Sequence, residues 1–269
     1  MKTRVISAIV ALAIVIPLFI IGKIPFAVGV ALLAAQALKE TVNLKESHHP
    51  YPGPIFFIGL MAVIALVIFR RDYTYIVNGI PLLIVAISFL LLLIPAIFDT
   101  KEKYNTRDAF YLIGTILYIG VFFNLLIALR EYNWRVLLYL LLISTMTDIF
   151  AYFVGSLIGN HKILPKVSPK KSVEGCIGGS ILGTAIATIY FVNVVPSNIP
   201  LAGLIAITFV LTVLGQLGDF FFSKIKRENN IKDFSNIMPG HGGVLDRLDS
   251  ITFITYGFVF LMILFKLYV

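Results

Sequence analysis

Apolar residues along this chain gather into long runs, separated by short stretches where charge, proline or glycine cluster. Taking those stretches as boundaries gives nine expected helices, at 5–22, 25–38, 54–70, 75–98, 109–129, 134–159, 173–195, 199–222 and 250–268. Apolar runs beyond about 18 residues separate membrane helices from the buried helices of soluble proteins. The segments are continuously apolar rather than alternating, and a backbone in lipid must satisfy its own hydrogen bonds, so helices are favoured over a barrel. The expected fold is therefore all-α, a polytopic transmembrane helical bundle with nine membrane helices. The second segment is short for a full crossing, which leaves a re-entrant or shielded piece open at that point.

Composition sharpens this picture. Hydrophobic residues make up 59% of the chain and charged residues 13%, with a mean hydropathy of +0.95, against roughly 45–50% and about 25% in soluble domains. No separate soluble domain stands out. Residues 1–130 are expected to form N-terminal membrane helices, and 131–269 a C-terminal half with long cytoplasmic connections at 160–172 and 223–249. The basic start and apolar run up to Ile21 resemble a secretory signal, but the run is long and ends in Gly22-Lys23 without a small-residue cleavage site, so a retained first span is expected. Cys176 is the single cysteine and cannot form an intramolecular disulfide.

Nine crossings would put the termini on opposite faces, and 16 of the 22 Lys and Arg residues then fall on the N-terminal side. The positive-inside rule makes that side cytoplasmic, in the cell (inner) membrane. Most of the net charge of +8 is assigned to topology and contact with anionic headgroups, and no nucleic-acid partner is expected. The two long connections differ, because there charge is mixed with Gly, Pro, His and acidic residues. Gly175, Gly179 and Gly183 make two small-xxx-small steps, read as close packing against a neighbouring helix.

Ionisable groups inside apolar helices are costly, so Asp148 and Asp219 are candidate site residues. Thr212, Gln216, Asp219 and Ser223 recur at helical spacing, as do Ser144, Thr145, Asp148 and Tyr152, giving two polar stripes expected to face the protein interior. Asp246 and Asp249 lie three apart, entering the ninth helix, with Asp249-Ser250 as its expected N-cap. With Asp219 they offer three hard oxygen ligands, which suits Mg²⁺ held through few carboxylates plus substrate phosphates. His241-Gly242-Gly243 provides backbone that can approach a phosphate, and Lys224, Lys226, Arg227, Lys232 and Arg247 supply positive charge. In the other connection Lys166, Ser168, Lys170 and Lys171 precede Ser172, the expected N-cap of a helix opening with Glu174 and Gly175, whose free N–H groups suit an anion.

These residues carry a resemblance. Ser223, Lys226-Arg227, Lys232-Asp233, His241-Gly242-Gly243 and Asp246-Arg247-Leu248-Asp249 match, with spacing, the C-terminal pattern of the phosphatidate cytidylyltransferase (CDP-diacylglycerol synthase) family. Asp148-x-x-Ala151-Tyr152-x-x-Gly155 and Ser168-Pro169-Lys170-Lys171-Ser172-x-Glu174-Gly175 are similar to the family upstream, with Ser172 where Thr is common and Met238 in place of Leu, Ile or Phe. The motifs cover the C-terminal half; the N-terminal half is similar only in being a set of apolar spans. The resemblance implies condensation of CTP with phosphatidate to CDP-diacylglycerol and diphosphate. It implies Asp219, Asp246 and Asp249 as ligands of Mg²⁺, with a second cation as an option. Lys226, Arg227, Lys170 and Lys171 would bind phosphates, and His241 would bind phosphate or order its loop. A homodimer is the expected assembly, as the commonest closed one. The competing class is a secondary transporter or ion carrier using Asp148 and Asp219 as coupling sites, which would not need the 223–249 constellation. A CDP-alcohol phosphotransferase would show closely spaced acidic residues within helices, a pattern not found here.

Overall fold

The structure, a computed structural model, describes residues 2–46, 51–68, 80–98 and 103–266. The beginning of the expected 75–98 helix, the ends of 54–70 and 250–268, and the topology residues Arg70, Arg71 and Lys101 lie outside the described residues. Eight helical runs occur among them: α1 (Lys2–Ile21), α2 (Lys23–Glu46), α3 (Gly53–Ile68), α4 (Ile80–Phe98), α5 (Thr106–Ile158), α6 (Val173–Val194), α7 (Leu201–Glu228) and α8 (Leu245–Phe265). Pairing outside helices is limited, among the described residues, to two isolated bridges, Lys162 with Ser172 and Met238 with Gly242. Five runs are long and apolar enough to cross a membrane, within α2, α5, α6, α7 and α8. The chain is an integral membrane protein built of helices.

Several boundaries can be compared with expectation. The second helix was expected to stop at 38, before Lys39 and Glu40, but α2 runs on to Glu46 and contains a 22-residue apolar span, so it is not a short re-entrant piece. Glu40 is tolerated there because it is hydrogen-bonded on its inner face. The expected break between helices 109–129 and 134–159 is present: α5 is two helices joined across a kink at Asn133, whose backbone is non-helical (φ −157°, ψ 100°). The Asn133 side chain accepts a hydrogen bond from Arg135 N (3.1 Å), so it caps the segment that follows. At the other end of α5, Asn105 Oδ1 accepts from Asp108 N and Asp108 Oδ2 from Asn105 N, both at 3.1 Å, a reciprocal capping pair.

The seventh run, α7, continues six residues past the expected end at 222, which places Ser223, Lys226 and Arg227 on helix rather than in a loop. The eighth run, α8, starts at Leu245 rather than 250, so Asp249 is not its N-cap; Asp246 and Asp249 both sit inside the helix. Ser172 does cap α6, with extended backbone and its Oγ accepting from Gly175 N at 3.2 Å.

The chain divides into two compact units. The first comprises Met1–Ala128 with Phe234–Val244, the second Leu129–Asp233 with Leu245–Val269. In the first, α3 lies against α5 where Gly120 meets Leu66, and Asn124 Nδ2 donates to Leu66 O (3.0 Å), tying the helices by a polar bond within an apolar contact. Tyr104 OH donates to Leu92 O (2.9 Å). In the second unit the glycine stripe does what its spacing suggests. A Cβ on Gly179 would lie 2.7 Å from Thr147 O, and one on Gly175 would lie 2.6 Å from Ala151 O, so α6 closes directly on the 134–158 part of α5. Gln216 Nε2 donates to Cys176 O (3.0 Å) and Ser180 Oγ (2.8 Å), fixing α7 to α6. A Cβ on Gly218 would come 2.6 Å from Asp249 O, so the absence of a side chain there lets the start of α8 rest against α7 beside Asp219.

Candidate active site

Within the second unit these contacts leave a cavity of about 770 Å³, a size suited to a small-molecule ligand. Asp148, Asp219, Asp246 and Asp249 line it from three helices, and Ser168, Lys170, Lys171, Ser172 and Arg247 are among the charged and hydroxyl residues of the wall. The 159–172 connection is held over the cavity by its own hydrogen bonds, Val173 N to His161 O (2.8 Å) and Ser168 N to Leu164 O (2.9 Å). Both polar stripes reach the cavity, through Ser144, Asp148 and Tyr152 on α5 and Asp219 on α7.

Two lysine–carboxylate pairs organise the charge. Lys226 Nζ donates to Asp246 Oδ1 at 2.7 Å, with side-chain exposures of 11% and 3%. Lys171 is ion-paired with Asp219, and its ammonium also stands 5.0 Å from the Phe220 ring centre, a cation–π contact. Burial disfavours the charged Lys171, but the Asp219 carboxylate, with Asp148 and Cys176 adding to it, holds the ammonium above its usual pKa. Asp249 Oδ1 accepts from Ser250 N at 2.7 Å, and Asp148, Asp219 and Asp249 are close enough to feel one another's charge. Ser223 Oγ donates to Asp219 Oδ1 at 3.3 Å.

Other residues singled out in the sequence lie elsewhere. Glu174 accepts from His161 N at 3.2 Å and also bonds the His161 ring, so it fastens the connection to the first turn of α6. Arg227 Nε donates to Val167 O (3.3 Å) and Nη1 to Ile231 O (3.2 Å), bracing the connection against the end of α7. Lys166 and Lys232 are exposed and are not among the cavity-lining residues. His241, Gly242 and Gly243 belong to the first unit, where His241 Nδ1 lies 2.8 Å from Ser7 Oγ. The cavity also uses residues the sequence reading did not select as site residues. Ser156 continues the Asp148–Tyr152 stripe by one turn and was legible in that spacing; Lys162 and Cys176 carried no separate signal.

The carboxylates limit how a divalent cation could be held. Among the described residues no three His, Cys, Asp or Glu groups converge at metal-binding distance. Four carboxylates nonetheless share one cavity, two of them with a lysine in place. That suits a hard cation held by one or two carboxylates and completed by phosphate oxygens and water, rather than an all-protein cage.

This geometry agrees with what the chain is similar to. It matches the cytidylyltransferase family over residues 2–265. The chain belongs to the cytidylyltransferase family. Among curated relatives, the phosphatidate cytidylyltransferase of Bacillus subtilis (strain 168) is 34% identical over 270 residues, covering 99% of each chain. Phosphatidate cytidylyltransferases of Staphylococcus saprophyticus and Staphylococcus aureus (strain COL) are 35% and 34% identical, each covering 94% of this chain and 96% of the relative. The family match thus extends over the N-terminal helices, where the sequence alone offered only a generic resemblance.

Proposed function

We propose that this family member is a phosphatidate cytidylyltransferase, joining CTP and phosphatidate to give CDP-diacylglycerol and diphosphate. The observation that carries the reading is the cavity of the second unit, where residues of the upstream, 168–175 and 219–249 motifs meet around four carboxylates, two of them paired with a lysine. In the reaction a phosphate oxygen of phosphatidate forms a bond to the α-phosphorus of CTP, and the bond to the bridging oxygen breaks, releasing diphosphate. The nucleophile is already an anion, so the site needs no base; it must align two anions and neutralise charge on the leaving group.

The paired lysines suit that task. Lys171 and Lys226 balance Asp219 and Asp246; a polyphosphate entering the cavity would offer Lys171, which lines it, a new partner and free the Asp219 carboxylate beside it. Mg²⁺ held by Asp219, Asp246 or Asp249, with or without a second cation, would supply charge neutralisation at the triphosphate. Lys170, Arg247, Ser168 and Ser172 would hold phosphate oxygens, while Arg227 and Glu174 keep the 159–172 connection in place. We place the site at the cytoplasmic face, because a soluble nucleotide must reach it from there while the diacyl lipid arrives through the bilayer. The homodimer is part of the same proposal, on symmetry grounds alone. The relatives lend no support to a carrier.

The test is direct: purified protein in detergent receives CTP, phosphatidate and Mg²⁺, and lipid-linked CMP and diphosphate are measured in equal amounts. Product that vanishes with chelator supports the proposal. Absence of product across several divalent cations, with folded protein, overturns it.

A further inference from the structure

The first unit contains a buried carboxylate that the reaction described above does not use. Glu40 is 1% exposed, inside the apolar span of α2. Burying a carboxylate without partners is strongly unfavourable, so its surroundings should explain why it is there. Its Oε1 accepts from Gln36 Nε2 (3.1 Å), from Ser235 Oγ (2.7 Å) and from Val244 N (2.9 Å). Two of those three donors belong to the 234–244 segment, about two hundred residues away in sequence.

The glycines of that segment fit the same arrangement. A Cβ on Gly243 would lie 2.5–2.7 Å from the Glu40 carboxyl atoms, so the carboxylate occupies the space a side chain would need. Gly240 and Gly242 have φ of 78° and 86°, which turns the chain back so that Met238 and Gly242 pair, with Met238 N donating to Gly242 O at 3.0 Å. A second fastening lies at α1. Ser7 Oγ donates to Pro239 O (3.0 Å) and lies at hydrogen-bond distance, 2.8 Å, from His241 Nδ1. Val244, whose N–H is held by Glu40, is followed directly by Leu245, the first residue of α8, and then by Asp246.

We infer that Glu40 is a positioning residue, which latches the 234–244 segment and so fixes the start of the helix that brings Asp246 and Asp249 to the cavity. This gives the N-terminal helices a task in the reaction, and accounts for His241-Gly242-Gly243 as the latched element. It rests on the reading of Asp246 as a site residue.

The experiment compares wild type, Glu40→Ala, Glu40→Gln and Ser235→Ala as full-length purified chains. Turnover is measured alongside hydrogen exchange of the peptide spanning 234–244. Glu40→Ala should speed exchange of that peptide at least tenfold, leave exchange in 201–216 unchanged and lower kcat at least tenfold with KM for CTP within threefold. Glu40→Gln, which keeps an acceptor oxygen, should restore kcat to within about threefold of wild type. Ser235→Ala, milder and expected to fold even where Glu40→Ala does not, should speed exchange and lower kcat together, each by a few-fold. Unchanged exchange in the loop, faster exchange with normal kcat, or a Glu40→Gln variant as poor as Glu40→Ala would each overturn the inference. Asp246→Asn run in the same assay separates the two failures. If it is inactive while Glu40→Ala turns over normally, the latch alone is wrong; if it is active, the reading of the site fails first.

Discussion

Two regions of this molecule carry the same kinds of residue, glycine, carboxylate, hydroxyl and base, and use them in opposite ways. In the second unit they line a cavity in which Asp219 and Asp246 are each balanced by a lysine, Lys171 within the cavity wall and Lys226 behind it. In the first unit Ser235 bonds Glu40, and Ser7 bonds His241 and Pro239 O, so the same residue types fasten a turn. The glycines differ likewise. Gly175, Gly179 and Gly218 bring helices together so that the cavity walls meet, whereas Gly240 and Gly242 turn a loop and Gly243 makes room for a carboxylate. A residue's presence in a motif therefore does not say whether it touches substrate or holds what does.

The largest effect should come from the cavity carboxylates. Asp246→Asn is expected to lower turnover about 10³-fold, the scale of losing a preorganised charged group at a reacting centre, with the protein still folded; near-normal activity would remove Asp246 from the site. Next comes its partner. Lys226→Met leaves Asp246 buried without its cation, and breaking a buried pair on one side costs about 3–5 kcal/mol. Thermal unfolding should therefore fall markedly along with activity, and the double variant Lys226→Met, Asp246→Asn should recover stability but not turnover. Recovery of both would mean that the pair is structural.

Gly218→Ala is expected to sit between these and the loop residues. The added methyl would press on Asp249 O, displacing the start of α8 at about 1–3 kcal/mol, and turnover should drop roughly tenfold by the positional sensitivity of such sites. In the first unit His241→Gln, which retains one hydrogen-bonding atom towards Ser7, should cost only a few-fold; a loss on the Asp246→Asn scale would place His241 among the groups acting on substrate and erase the contrast between the regions. The smallest effect concerns pH. Lys171 is held above the usual lysine pKa, so its pairing with Asp219 contributes fully below about pH 10.4 and is lost only as the pH climbs through the higher folded value. Wild type and Lys171→Arg should then show parallel stability from about pH 7 to 10; an earlier decline of the wild type would mean that burial, not Asp219, governs the amine.

Much of this was legible in the sequence, and the misplaced boundaries have a common cause. Apolar runs located the helices, and Ser172 was recognisable as a cap. Helical spacing picked out Asp148 and Asp219, which line the cavity, but the α5 stripe is not turned inward, with Thr145 and Asp148 exposed and Tyr152 79% exposed. What failed were the boundaries at charged residues. The second helix seemed to end at Lys39 because Glu40 looks unsuited to an apolar span; its partners, Ser235 and Val244, lie 195 and 204 residues downstream. The same holds for α7, whose extension carries Lys226 to a carboxylate 20 residues on, and for α8, which begins at Leu245, directly after a residue whose N–H bonds Glu40. Periodicity reports the face a helix shows to lipid; it does not report which buried charge has found a distant partner.

Cys176 offers the most direct measurement. It is the single cysteine of the chain and lines the cavity beside Lys171 and Asp219, so the rate at which a small thiol reagent modifies it reports whether the cavity is filled. Saturating CTP with Mg²⁺ should slow that modification at least tenfold in the wild type and hardly at all in Asp219→Asn. An unchanged rate at CTP concentrations that saturate turnover would contradict the account, because the nucleotide would then be binding somewhere else.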